Sequence, residues 1–446
     1  MRDYSTITSH VKSQGDRYIS MLTTLISQPS VSATGEGLGE CATLVSELLE
    51  DVGLRTQLYQ SGSGPVVVGV GSAEAHATLM FYNHYDVQPP EPLDRWVSDP
   101  FKPRISDGKI YGRGAADNKG SLVARIAALD TVLATLGELP INVKFVVEGG
   151  EEVGSPGLER FVMENREGLF ADGCIWEYGY VDRRGSPVIN LGVKGMLYVE
   201  LEASGKELHS SWGGVVSNPA WRLIQALSVI RGDDGRVLVR DFYDDVEAVS
   251  RQVEEMMENL DLNSLKPEGV ELPAGDTRSM LRRLLLEPAC NLCGISAGYV
   301  GPGSKTSIPA TARVRLDFRL VPNQDPEKIL SNLLETLKSA GLGDITVRKL
   351  QGYPASRTSP DSYLVGLVGE TAKEAYGVEP TILPSGAASG PMHLFEDFLG
   401  IPCVSTGVGH LGSNVHGPNE NIRIEDFLNG IKHIALVMAS FHSYFG

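Results

Sequence analysis

Cysteine is scarce in this sequence of 446 residues: Cys41, Cys174, Cys290, Cys293 and Cys403 form an odd, scattered set of five. So few thiols in so long a chain exclude a secreted fold stapled by disulfides. Long apolar runs are also missing. No stretch of about 18 uncharged apolar residues occurs, so no membrane-spanning helix is expected. The amino-terminal MRDYSTITSHVKSQGDRYIS is polar and lacks the apolar core of a signal peptide. A soluble, cytoplasmic protein is the expectation. Positive charge is in deficit as well, with 39 Lys and Arg against 56 Asp and Glu and a formal charge of −17. That excludes nucleic acid and the membrane surface as partners, since phosphate binding needs clustered Lys and Arg. It leaves divalent cations, which bind carboxylates. Glycine and proline, at 50 and 25, are too few for a disordered or collagen-like chain, and 42% apolar residues suffice for a packed core.

What is present reads as α/β. Helical patterns flank a Ser/Gly-rich loop at Ser27 to Gly39, and the second places Cys41, Leu44, Leu48, Leu49 and Val52 at helical spacing. Apolar runs at Val66 to Val70, Ala77 to Asn83 and Val143 to Val147 predict buried strands. Lys119 to Leu136 predicts a helix with Leu122, Ile126, Leu129 and Leu133 on one stripe. Strands alternating with helices imply a mostly parallel sheet with flanking helices. At residue 192 the pattern changes. Met196 to Ser204 alternates as a strand with one wet face, followed by a helix at Pro219 to Arg231 and a long charged stretch to Pro288. Strands at Gly294 to Val300 and Ala312 to Leu320, a helix at Asp325 to Ala340 and a strand at Asp344 to Leu350 complete a βαββαβ order, the ferredoxin-like unit. The chain exceeds what one core serves. The economical division is an α/β domain over residues 1–191 and 351–446, interrupted by an inserted α+β domain at 192–350.

Five segments carry side chains with chemistry to offer. His84 and Asp86 share a face of an extended chain just beyond a strand, where parallel sheets place ligands. A His beside a carboxylate suits a metal ligand, or a solvated turn. Asp117 stands at the start of the helix from Lys119 and is either a cap or a carboxylate with two oxygens free to bridge cations. Adjacent Glu151 and Glu152 follow the strand at 143–147; one could ligate metal and the other act as general base, or both could be solvated. Glu177 is a lone acid after a short apolar run. His416 lies in a loop of turn formers, where Asn419 and Glu420 could cap the following helix. Singly these are bland. Together they place two His and several carboxylates beyond the strands of one sheet, the ligand set of a zinc, manganese or cobalt pair.

The segments NHYDVQP, GRGAADNKG, EGGEEVGS and GSNVHGPNENI, in this order, resemble the dinuclear metallopeptidase family of carnosinase-type dipeptidases, acetylornithine deacetylase, succinyl-diaminopimelate desuccinylase and glutamate carboxypeptidase. The likeness is strongest to the dipeptidase branch. It implies that Asp117 bridges two ions, that His84 and Glu177 complete one position and Glu152 and His416 the other. It implies Glu151 as general base and Asp86 as the acid orienting His84. Where family members often carry Asp, this chain has Glu177. The inserted domain becomes a lid and dimerisation domain, with His209 in KELHSSWGG stabilising the oxyanion, in some relatives across a dimer. Thr306 in SKTSIP, Arg319 in DFRLVP and Ser389 in GAASG are implied to bind substrate. Arg319 alternates with Phe318 and Leu320, which also favours a polar role.

The implied activity is metal-assisted hydrolysis of an amide in a dipeptide or small peptide, with zinc the first choice of metal and manganese or cobalt accepted by the same ligands. A deacylase of N-acyl amino acids is the alternative, and a metal-poor binding protein on the same fold the remote one. Gly407-Val-Gly-His-Leu-Gly412 matches G-x-G-x-x-G, but no helix is expected to open there. Cys290 and Cys293 lack the second pair of a structural zinc site.

Overall fold

Apolar residues at helical spacing fold the start of the chain into α1 (Ser5–Ser27) and α2 (Leu38–Asp51). The computed structural model describes residues 4–444, so the first three residues of the polar amino-terminal stretch and the last two of the chain lie outside the described residues. There follow β1 (Arg55–Tyr59), β2 (Val66–Gly71), β3 (Thr78–His84), α3 (Lys119–Leu136), β4 (Asn142–Glu148), β5 (Gly173–Trp176) and β6 (Val188–Asn190). Next come β7 (Gly195–Ser204), α4 (Pro219–Ile230), β8 (Ala289–Ala297), β9 (Thr311–Leu320), α5 (Pro326–Ser339) and β10 (Thr346–Tyr353). The chain closes with α6 (Tyr363–Tyr376), β11 (Thr381–Leu383), β12 (Cys403–Ser405) and α7 (Ile424–Phe441).

Eight strands form one sheet in the order β1-β2-β4-β3-β5-β12-β6-β11. Its centre is parallel: β4 with β3, β3 with β5, and β5 with β12, as is β6 with β11 at one edge. The pairings of β1 with β2, β2 with β4 and β12 with β6 are antiparallel. Central strands are buried on both faces. Leu79 and Phe81 of β3 enter the core with α1, α3 and α7, while Met80 and Tyr82 enter the opposite core with Phe161 and Phe395. This explains the near-continuous apolar runs in the sequence. Helix α3 has the expected bounds but not the single stripe, since Val123, Ala127, Ala128 and Val132 are as buried as Leu122, Ile126 and Leu129.

The βαββαβ order is realised as a second, fully antiparallel sheet, β8-β9-β7-β10. Leu197, Val199 and Leu201 pack there with Leu223 and Ala226 of α4 and Ile329 and Leu333 of α5. Its opposite face is charged: Glu200 of β7 accepts from Arg315 at 2.9 Å and Arg348 at 2.7 Å. Two differences from expectation have local causes. Strand β8 starts at Ala289 rather than Gly294 because it is an exposed edge with a bulge between Leu292 and Gly294, so burial gives no alternation to read. The charged stretch contains three helices, Arg251–Glu258, Leu262–Leu265 and Thr277–Leu285, whose Val253, Met257, Leu281 and Leu285 pack on Val188 of β6 and Leu383 of β11. The two crossings between sheets run side by side, with Gly192–Val193 paired antiparallel to Ser356–Arg357. Among the described residues no helix is long and apolar enough to cross a membrane, and the five cysteines are free thiols.

Candidate metal centre

Parallel strands β3, β4 and β5 end together at His84, Glu148 and Trp176, so the loops beyond them share one rim. His84 is buried there. Its Nδ1–H donates to the backbone oxygen of Asp86 at 3.0 Å, which turns Nε2 toward Asp117 Oδ1 at 3.1 Å and Glu177 Oε2 at 3.5 Å. Both ring nitrogens therefore face oxygen, while a neutral imidazole carries one proton. A further proton or a metal ion belongs between Nε2 and the carboxylates. The other oxygen of Asp117, Oδ2, lies 3.2 Å from His416 Nε2, which is 3.1 Å from Glu152 Oε2. Asp117 thus faces a different His through each oxygen. Its alternative as a helix cap is not realised: Asn118 occupies that position without a side-chain cap.

Asp86 does more than stand beside His84 at 3.4 Å. Its oxygens accept the backbone N–H groups of Glu151 at 3.2 Å and Glu152 at 3.1 Å, which fixes the turn carrying both acids. Gln88 Nε2 donates to Glu152 Oε2 at 2.9 Å. Glu151 Oε2 reaches only to 4.0 Å of His84, leaving that carboxylate toward the cavity. His416 adopts a left-handed backbone, φ 61°, an uncommon state for a residue with a Cβ.

Glu420 and Arg113 hold this arrangement and were not singled out as such by the sequence. Glu420 does not cap α7. Its carboxylate accepts from Arg113 Nη1 at 2.8 Å and from the amides of Gly114 at 2.9 Å, Ala116 at 2.8 Å and Asp117 at 3.0 Å. Arg113 also donates to the backbone oxygen of His416 at 3.3 Å. Asn419 instead accepts from the amide of Val97 at 2.7 Å.

The electrostatics are those of an anionic nest. Burial, then the neighbouring Glu177, raises the pKa of Glu151 well above the usual carboxylate range. Burial pushes Glu177 up to about 8, against the opposing effect of His84. Burial would raise Asp117 too, but hydrogen bonds from His416 and His84 outweigh it and hold its carboxyl below the usual range. Hydrogen bonds to Asp117 and Glu152 raise His416 to about 10. The Oε2 atom of Glu177 is buried and has no hydrogen-bond partner. An orphaned carboxylate oxygen 3.5 Å from the His84 imidazole, in a nest that also holds Asp117, Glu152 and His416, fits divalent cations, which accept this nitrogen and oxygen donor set. His84, Asp117 and Glu152 each offer a ligand atom, all within 4.8 Å of one another.

A cavity of about 850 Å³ opens from the centre between the two sheets, with Glu151, Glu152 and His416 on one side and Lys194, Arg319 and Ser389 on the other. Arg319 Nη1 donates to Ser389 Oγ at 2.7 Å and its Nε to Asp317 at 2.8 Å, while Phe318 and Leu320 point into the core. His209 and Thr306 are not brought to this cavity. His209 is exposed, with Nδ1 accepting from the amide of Ser211 at 3.1 Å, and exposed Thr306 offers its carbonyl to the amide of Ser210, also at 3.1 Å. At the dinucleotide-like run, Gly409–His410 forms a short strand rather than opening a helix.

The family model of peptidase family M20/M25/M40 matches residues 80–440. Human Beta-Ala-His dipeptidase is 30% identical over 397 residues, covering 85% of this chain and 78% of that protein. The Cys-Gly metallodipeptidase dug1 of Schizosaccharomyces pombe is 27% identical, covering 94% of each. Among solved structures, the M20 family metallo-carboxypeptidase Sso-CP2 from Sulfolobus solfataricus superposes with a TM-score of 0.91 at 40% identity, covering 96% of this chain and 99% of that one. The four motifs that meet around Asp117 lie on a chain matched over most of its length, and the protein belongs to peptidase family M20/M25/M40.

Proposed function

We propose that the protein is a metal-dependent dipeptidase with Glu151 as general base. The observation that carries this is Asp117, whose two oxygens face His84 and His416 separately across from a cationic wall. In this reading Asp117, His84 and Glu177 would hold one ion, and Asp117, Glu152 and His416 the other. Divalent ions bound there supply Lewis acidity, acidifying water and polarising a carbonyl oxygen. Zinc is the first choice, with manganese or cobalt next.

The rest is the work of side chains. Glu151 takes the proton of the attacking water and returns it to the leaving amine, its carboxylate being left toward the cavity. Asp86 keeps His84 and both glutamates in place. Arg319, its fork supported by Asp317 and Ser389, pairs with the free carboxylate of the substrate. N-acyl amino acids carry that carboxylate too, so the names of the dipeptidase relatives, rather than Arg319, favour dipeptides.

We further propose a homodimer through the inserted domain of residues 192–350. Edge strand β8 leaves Leu292 and Ile295 exposed, and neighbouring α4 exposes Trp221 and Ile224. A partner there would bring its own His209 and Thr306 to the cavity that this chain's pair does not reach, with His209 stabilising the oxyanion. Free, buried Cys174 and Cys403 suit a reducing, cytoplasmic setting. The test is metal content together with a substrate panel. Two divalent ions per chain and turnover of dipeptides are expected. Faster turnover of N-acetyl or N-succinyl amino acids would replace the reading with a deacylase, and absence of metal after reconstitution would reject an enzyme.

A further inference from the structure

The centre of α3 carries a guanidinium that no motif announces. Arg125 is buried beneath the rim of the large sheet. Its Nη1 donates to the backbone oxygen of Tyr82 and to Asn83 Oδ1, each at 2.6 Å. Its Nη2 donates to the backbone oxygens of Trp176 at 2.5 Å, Glu177 at 2.8 Å and Thr406 at 3.2 Å. All five acceptors are neutral, four of them peptide carbonyls. They belong to the ends of β3 and β5 and to the loop after β12, neighbouring strands of the sheet. Past the last ladder bond such carbonyls lack a strand partner, and twist drives their strands apart. A planar fork of five donors can serve several at once, which an ammonium cannot.

The strand ends it gathers matter. Tyr82 and Asn83 lead directly into His84, and the Glu177 carbonyl belongs to the residue carrying the orphaned carboxylate. Asn83 passes the linkage on, its Nδ2 donating to Asn118 Oδ1 beside Asp117. Glu152 and His416 are held by other means: Asp86 and Gln88 for the first, Arg113 for the second.

We infer that Arg125 is a positioning residue for His84 and Glu177, the two ligands that belong to one metal position and are not shared with the other. This rests on the ligand assignment proposed above. Burial lowers the Arg125 pKa only to about 10, so it stays charged at neutral pH.

The experiment is titration of the metal-free protein of 446 residues with Co²⁺, followed by calorimetry and by the visible absorption of the bound ion. Wild type should take up two ions in two resolvable steps. In Arg125→Gln one step should weaken by about tenfold or more, the usual consequence of removing a group that orients ligands. The other should stay within about twofold. Arg125→Lys keeps the charge but loses the fork, and should show the same split to a smaller degree; it serves alone if the Gln variant does not fold. Unchanged affinity at both steps, or equal weakening of both, in a folded variant overturns the inference. Failure of wild type to bind Co²⁺ overturns the ligand assignment first, and the inference with it.

Discussion

Glu420→Gln isolates how the loop of Asp117 is held without touching a proposed ligand. Glu420 and Arg113 are both 1% exposed, so water cannot replace what is lost. One carboxylate oxygen accepts from Arg113 and Gly114, the other from Ala116 and Asp117. An amide keeps only one oxygen. Whichever way it turns, two of the four donors meet an NH2 group, and the Arg113 charge loses its counterion. Breaking a buried pair from one side costs about 3–5 kcal/mol. Each orphaned buried amide adds about 1–3 kcal/mol in isolation, but these contributions overlap, so about 3–5 kcal/mol is the expected total. At about 1.4 kcal/mol per tenfold, the folded-to-unfolded ratio falls by roughly 10²–10⁴. Urea unfolding of the metal-free variant and wild type, with matching m-values, measures it. Because Arg113 also holds His416, metal affinity should fall in parallel. A loss below about 1 kcal/mol, well under the cost of breaking a buried pair, would refute the view that this pair anchors the centre.

Glu151→Ala should retain both metals yet lose about 10²–10⁴ in kcat, the range for a general base; metal analysis beside steady-state kinetics checks it, and full activity in a metal-replete variant refutes the role. Co-expressed His209→Ala and Glu151→Ala chains should regain activity as mixed dimers if His209 acts across the interface, and verified mixed dimers without activity would count against that. His433 gives a pH dependence. Burial lowers its pKa from 6.5 to about 4, and the neutral ring donates to the Val368 carbonyl at 3.1 Å. Its contribution is complete above pH 6.5 and is lost as pH falls toward 4, because the unfolded chain takes the proton first. The loss is about 3 kcal/mol at about 1.36 kcal/mol per pKa unit. Metal-free wild type should therefore lose that much more stability than His433→Gln between pH 7 and pH 4, and parallel curves would contradict it.

The legible parts of the fold were those where burial imprints a pattern. Strands β3 and β4 are buried on both faces and read as apolar runs, and α3 stops at Gly137, a left-handed cap. Edge strands β1 and β8 are exposed along most of their length and leave little to read. The three helices after Ser250 hide their few apolar contacts among charges. At the site, residues that follow buried strands were legible because the strand fixes where they emerge. Glu420 was not, since a cap is a local event and its true partners lie more than 300 residues earlier. Arg125 lies in a helix buried on nearly every face, so no pattern marks it.

The paired crossings have a mechanical meaning. Acid and cation face each other across the cavity, yet Glu151 follows a strand of the first sheet and Arg319 rides on the second. Several contacts span the gap between them: the helices after Ser250 rest on β6 and β11, and Arg319 itself donates to Ser389. The ribbon of Gly192–Val193 against Ser356–Arg357 spans it as well, and it is tight: a Cβ at Gly192 would lie 2.2 Å from the Ser356 carbonyl oxygen. The molecule is in effect a caliper, its jaws packed separately and its setting held by these joints together. Under the proposed function, the span of substrate accepted then depends in part on two short strands that do not line the cavity.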